Sequence, residues 1–174
     1  MFSKKKINLK INKYKMILKS YELKKLDLNK NKYILFYGAN EGAKIEEISN
    51  LLLKNKNSTV SRYDEKQILE NDEIFYDNIL SKSLFENKKI IIINRASDKI
   101  FKFIEDLLNR ENSDISFIIN ASTLEKKSKI RSLFENKKQL ICVAFYQDTD
   151  SILSIITQNF LREKNINISQ ANIN

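Results

Sequence analysis

The 174-residue chain has no histidine and no proline, a single cysteine, and only two glycines. Without histidine and with one thiol, a Cys/His zinc site, a haem pocket and a histidine-based triad are nearly excluded. Cys142 stands in the apolar run Leu140-Ile141-Cys142-Val143-Ala144, where it reads as a small buried side chain rather than a nucleophile or ligand. No apolar run approaches the ~20 residues of a membrane span, and the N-terminus has no hydrophobic segment of signal-peptide type. These absences point to a cytoplasmic protein without a membrane partner. The apolar fraction, 42%, is enough for a real core, and the length fits one domain with the start of a second.

Charge is present mostly in one sign, with a formal net value of +9. Residues 1–15 hold six lysines and no acid, so the other 159 residues carry only +3. Lysine, asparagine and isoleucine abound throughout, as an AT-rich genome would produce. A generic solvated lysine surface is therefore the simpler reading than a dedicated phosphate-binding face. The leader lysines, Lys4, Lys5, Lys6, Lys10 and Lys13, could touch DNA weakly, but no sequence-reading motif follows them.

The chain is organised around Ile90-Ile91-Ile92-Ile93, four β-branched residues that read as a strand buried on both faces at the centre of a parallel sheet. Met16 looks like a natural start, which makes 1–15 a basic extension outside the fold. Tyr33–Tyr37 predicts a strand, Gly38-Ala39-Asn40-Glu41-Gly42 a turn, and Ile45, Ile48, Leu51 and Leu52 a helix. A short strand at Thr59–Tyr63 precedes a helical region opened by Asp64 and Glu65, with Ile68, Leu69, Phe75, Ile79 and Leu80 on one face. After strand 90–93, Ser97 and Asp98 can cap a helix carrying Ile100, Phe101, Ile104, Leu107 and Leu108. A strand at Ile115–Ile119, a helix over 124–134, a strand at 139–145 and a helix over 150–164 complete the pattern. Alternating strands and helices predict a three-layer α/β fold with a parallel sheet over 16–147, and 148–174 reads as the start of a truncated helical lid domain.

A strand, a glycine turn and a helix form the usual cradle for phosphate, built from backbone N–H groups and a helix N-terminus. Here Gly42 is followed by Ala43, Lys44 and Ile45. The lysine is displaced by one residue from its place in a P-loop, and no hydroxyl follows to hold magnesium. Glu41 would set a carboxylate near the phosphates. After the buried strand stand Asn94 and Arg95 rather than an acidic pair, so neither metal coordination nor water activation is provided for. The paired carboxylates Glu46-Glu47, Asp72-Glu73 and Glu105-Asp106 fall on helix surfaces and read as solvated faces. The loop 38–42 is a degenerate, nucleotide-free one on this reading, with no catalytic residue, metal site or cofactor expected. The competing reading is a small nucleotide-dependent, kinase-like α/β enzyme that uses the same loop.

One heptapeptide, Ser-Leu-Phe-Glu-Asn-Lys-Lys, occurs at 83–89 and again at 132–138, each time before an apolar strand. Ser83, Leu84 and Phe85 either fold back under the sheet or stand out as a contact for a partner. From burial tendencies alone, Leu84 and Phe85 belong in the core.

The order Tyr33-Ile34-Leu35-Phe36-Tyr37-Gly38, then Ser83-Leu84-Phe85 ahead of Lys88-Lys89 and the isoleucine run, resembles the delta subunit of bacterial DNA polymerase III. So do Ile118-Ile119-Asn120-Ala121 and the more telling Leu124-Glu125-Lys126-Lys127-Ser128-Lys129-Ile130-Arg131. The resemblance runs from about Met16 to the end and implies an AAA+-like domain with a degenerate nucleotide site. It further implies a non-catalytic clamp-loader subunit of the DNA-directed DNA polymerase, a nucleotidyltransferase complex. Such a subunit binds and opens the sliding clamp, the beta subunit, for loading onto primed DNA. By position Leu84 and Phe85 map to the Leu-Phe wedge of that family, with Ser83 beside it, while Leu133 and Phe134 should be core. The gamma/tau and delta prime subunits are the implied partners, and DNA is an indirect or weak one. The C-terminal collar domain of the family has no counterpart here, which puts assembly of this chain with other loader subunits in doubt.

Overall fold

The structure is a computed structural model that describes residues 17–18, 23, 26–80, 88–110 and 114–166. Six strands run in chain order: β1 (Ile17–Leu18), β2 (Tyr33–Tyr37), β3 (Thr59–Asp64), β4 (Lys89–Ala96), β5 (Ile115–Ala121) and β6 (Leu140–Ala144). The helices are α1 (Glu41–Lys54), α2 (Glu65–Glu70), α3 (Asp72–Leu80), α4 (Phe101–Asn109), α5 (Lys129–Asn136) and α6 (Asp150–Glu163). The strands form one sheet in the order β1-β6-β2-β5-β4-β3, and every pairing is parallel. Consecutive strands therefore need crossovers, and from β2 onward the helices supply them.

The period-2 alternation of the strands sorts their side chains into two layers. Ile34, Phe36, Ile90, Ile92, Ile118, Ile141 and Val143 face Ile48 and Leu51 of α1, together with Leu23, Leu26 and Leu28. Leu35, Ile91, Ile93, Phe117, Ile119 and Cys142 face the opposite side, packed by residues of α2 to α5 such as Ile68, Phe75, Ile104 and Phe134. The isoleucines of β4 serve both layers and are at most 2% exposed. The expected three-layer α/β fold is the observed one, and the isoleucine strand is covered on both faces as expected. It is not the centre of the sheet, however, because β4 borders the edge strand β3 while β2 and β5 hold the middle. Cys142 is buried among apolar neighbours, and burial pushes its thiol up to about 12, far from a reactive thiolate.

Local departures from the sequence reading have identifiable causes. The helical region after β3 is two helices, broken at Asn71, whose φ of −146° leaves the helical range. Asp64 and Gln67 form the capping box that starts the first of them. Leu69 and Ile45, expected on buried faces, are exposed. The helix expected over 124–134 begins only at Lys129, because its start is fixed from outside. Ser128 accepts the N–H of Arg131 and donates its hydroxyl to Asp98, whose carboxylate also takes the N–H groups of Lys129 and Ile130 at 3.0 Å. Ser97 and Asp98 were expected to cap the helix after β4; Ser97 caps the 3-10 turn Asp98–Ile100 that leads into α4, and Asp98 caps α5 instead. Burial opposes ionisation of Asp98, but these three donors win and hold its carboxyl below the ordinary carboxylate range. The strand β1, paired with Cys142 and Val143 of β6, was not foreseen. None of the residues of α6 is buried, and Ile152, Leu153, Ile155, Ile156 and Phe160 are exposed.

Candidate functional site

Because all strands are parallel, their C-terminal ends share one edge of the sheet, where ligands of α/β folds collect. Here β2 passes through Gly38 into α1. Gly38 has φ +127°, and a Cβ there would lie 2.0 Å from the carbonyl oxygen of Phe145. That close approach carries a seam: Phe145 N–H donates to Tyr37, Gly38 N–H to Ser122, and Asn40 N–H to Phe145. The first glycine is therefore demanded by packing. The second is not, since the nearest atom to a Cβ on Gly42 would be the Asn40 side chain at 3.8 Å.

The expected turn 38–42 is shorter than the sequence suggests: Glu41 and Gly42 already belong to α1. Asn40 is the N-cap, and its Oδ1 accepts the N–H of Ala43 while its carbonyl accepts that of Lys44. Its Nδ2 donates to Asp148 at 2.7 Å, which ties the loop to the chain beyond β6. Two N–H groups that a phosphate cradle would present are thus spent on the cap. Ala39 is exposed at the loop's outer side.

Lys44 decides what this loop can do. Its side chain is fully buried, and its ammonium donates to the carbonyl of Ala121 at 2.6 Å and pairs with Glu41 at 2.7 Å. Glu41 also accepts from Asn120 Nδ2 at 2.9 Å, and the hydrogen bonds from Lys44 and Asn120 hold its carboxyl below the ordinary range. A lysine that would reach for a triphosphate is instead an internal brace between α1 and β5. On the outer side of its partners Glu41 and Ala121 lies a recess of about 300 Å³, lined also by Asp64, Asn94, Arg95, Asn120 and Ser122. Its carboxylates, Glu41 and Asp64, would repel phosphate. Arg95, in the left-handed conformation at φ 55° beside the register irregularity of β4, is paired with Asp64. The buried Oδ1 of Asn120 has no partner among the described residues. The donor set does not suit a magnesium nucleotide: the lysine is engaged, Ile45 replaces a hydroxyl, and Asn94 and Arg95 replace an acidic pair.

The remaining motif residues are divided by the description. Ser83, Leu84 and Phe85 lie outside the described residues, between α3 and β4. Their twins are described: Phe134 is 1% exposed in the core, and Leu133 is only partly buried at its margin. The passage Ser128-Lys129-Ile130-Arg131 caps α5 and anchors it. Arg131 donates to Glu135 and to the carbonyl of Leu124, with its guanidinium 4.9 Å from the Tyr37 ring centroid. The bracing role of Lys44 and the tie between Asn40 and Asp148 escaped the sequence reading. A polar Asn120 closing an apolar strand was the available hint.

No family model matches the chain, and no curated protein matches it either. Solved structures do. The Bacillus subtilis DNA clamp loader delta protein (YqeN) superposes with a TM-score of 0.55 at 14% identity, over 88% of this chain and 49% of that one. The fold is AAA+-like. A Rhizobiales Trip13 structure shares it with a TM-score of 0.51 and 11% identity, over 88% of this chain and 62% of that one. The replication initiator DnaA, bound to AMPPCP and single-stranded DNA, does so with a TM-score of 0.50 and 12% identity, over 88% and 51%. A clamp loader delta structure thus stands among the neighbours, as the sequence resemblance implied. The chain spans about half the length of the delta protein it matches.

Proposed function

We propose that the chain is the AAA+-like part of a clamp-loader delta subunit, a non-catalytic module that binds a sliding clamp and opens it for loading onto primed DNA. Carrying this reading is one observation: on a fold shared with a clamp loader delta protein, the lysine of the phosphate loop is buried as a brace. The loop 38–42 then works as a structural seam, and the working contact is the wedge Leu84-Phe85, flanked by Ser83. The partners are the clamp and, through parts of a longer protein, the other loader subunits. The exposed apolar side chains of α6 suit the first helix of a following helical domain.

Burying a Leu and a Phe in a clamp pocket would contribute ~1.5–3 kcal/mol each before ordering costs. Two anchors in one pocket suffice for a small hot spot. To open a ring, the wedge must bind the distorted clamp interface better than the closed one, since equal affinity shifts nothing. The test is the double variant Leu84→Ala, Phe85→Ala measured for clamp binding by surface plasmon resonance and for folding by thermal melting. Lost clamp binding with an unchanged melt supports the wedge. A large drop in melting temperature returns the pair to the core, and ATP binding lost on Gly42 substitution favours the kinase-like enzyme.

A further inference from the structure

Several lysines stand at the edge of the sheet where the strands begin, opposite the loop 38–42. Strand β2 is preceded by Lys30 and Lys32, β3 by Lys54 and Lys56, β4 by Lys88, and β6 by Lys137 and Lys138, while β5 is preceded by Asp114. The opposite edge is mixed, with Glu41, Asp64, Glu65, Asp98 and Asp148 beside Arg95, Lys99, Lys126 and Lys127. Topology brings the lysines together: α1 runs back along the sheet, so its C-terminal Lys54 arrives where β3 and β4 begin. There the chain forms a recess of about 640 Å³ whose lining includes Lys54, Lys56, Lys88, Asn29, Asn57 and Ser58. Among the described residues, no carboxylate and no aromatic ring lines it, and Leu53 is its one apolar side chain. Asp27 lies beside it. Hydrogen bonds from the backbone N–H and side-chain amide of Asn29 hold its carboxyl below the ordinary range, aided by the charges of Lys30 and Lys88. Lys88 itself donates to the side-chain oxygen of Asn29, which fixes its ammonium at the recess.

We infer that this lysine recess at the start of β3 and β4 is a nucleic-acid backbone site, distinct from the degenerate loop and from the Leu84-Phe85 wedge. Three ammonium groups with amide and hydroxyl donors match phosphodiester oxygens. With no aromatic ring to stack bases among the described lining residues, the site binds phosphate without reading sequence. The volume exceeds what one inorganic phosphate fills and accommodates a stretch of backbone. An acidic protein face would meet the same charges, but the polar donors between them favour small, closely spaced oxygens over side-chain carboxylates.

The experiment measures binding of a fluorescent DNA duplex to the full chain by anisotropy, from about 50 to about 200 mM salt. The variant is Lys54→Ala, Lys56→Ala, Lys88→Ala, and the charge-matched control is Lys99→Ala, Lys126→Ala, Lys127→Ala at the other edge. Three lost phosphate contacts reduce the slope of log affinity against log salt by ~2.7, so across that fourfold salt range the wild type loses ~40-fold more affinity than the variant. The control keeps the wild-type slope, and melting curves confirm that both variants fold. The inference is overturned if the wild type fails to bind, or if variant and control are equal. Loss of binding on deleting residues 1–15 with the triple variant unaffected overturns it too, as does displacement of DNA by millimolar inorganic phosphate. A variant that binds DNA normally but loses affinity for a sliding clamp would reassign the recess to a protein partner.

Discussion

Replacing Lys44 separates a structural brace from a nucleotide ligand. In a working phosphate loop the lysine is dispensable for folding, because its charge waits for a ligand. Here it is fully buried and holds the end of β5 to α1 through the Ala121 carbonyl. Lys44→Ala removes a charge-assisted hydrogen bond worth ~1.5–3 kcal/mol. It also removes three methylenes of packed stem, ~0.8 kcal/mol each. Against that, the variant no longer fixes a lysine rotamer, a saving of ~1.5–2 kcal/mol, and no longer desolvates an ammonium. Glu41, more than half exposed, is re-solvated at little cost. The balance is a loss of ~2–4 kcal/mol, or ~5–15 °C in Tm for a chain of this size. Lys44→Met, which keeps the stem, should fall between the variant and the wild type. Urea and thermal unfolding give both numbers, and calorimetry with ATP and magnesium gives the complement. If both variants melt with the wild type while the wild type binds nucleotide and they do not, the brace argument is refuted.

Two further outcomes follow from the same edge of the sheet. Gly42→Ala, in a helix with open space for a Cβ, should raise stability by ~0.5–1 kcal/mol in denaturant unfolding, whereas Gly38→Ala should destabilise strongly because its Cβ has nowhere to go. Asp98 has a lowered pKa in the fold, so its contribution is fully present above the ordinary carboxylate value and is lost as pH falls through the lowered one. Asp98→Asn should therefore cost about 1–2 kcal/mol near neutrality, the value of a partly solvated helix cap, and should flatten acid unfolding below about pH 4.

What the sequence discloses follows from the range of the interactions involved. The strands are legible because β-branched runs and alternation are local: Tyr33–Tyr37 and the isoleucines of β4 declare their burial within five residues. The missing hydroxyl after Lys44 and the missing acidic pair after β4 are legible as well, because they are absences at fixed spacing. Lys44 is not, because its partner Ala121 lies 77 positions away and only the pairing of β2 with β5 brings them together. Asp98 misleads for the same reason: its letter suits the helix beside it, while its carboxylate serves a helix 31 residues on. Strand β1 is two residues long, too short for any periodicity to register.

The twin heptapeptides show how far seven identical residues leave an environment undecided, and they supply the last prediction. At 132–138 the segment closes α5, and Phe134 enters the core directly after Ile130, one helical turn earlier and buried on the same face. At the matching position before Phe85 the sequence has Ser81, so the stripe that draws Phe134 inward has no apolar partner in the first copy. The identical motif is therefore anchored by its context at 132–138, whereas the sequence before the first copy offers no matching apolar residue. Phe134→Ala should cost ~3–5 kcal/mol, the usual loss for a buried phenyl, read from the urea midpoint. Phe85→Ala should cost less than ~1 kcal/mol in the same assay, as surface changes do. On the proposed clamp-binding function, Ser81→Ile in the wild-type background should weaken clamp binding by giving Phe85 the apolar partner that its twin has in Ile130. Equal destabilisation by the two phenylalanine variants would show that both copies are core, and the wedge would have to be sought elsewhere on the chain.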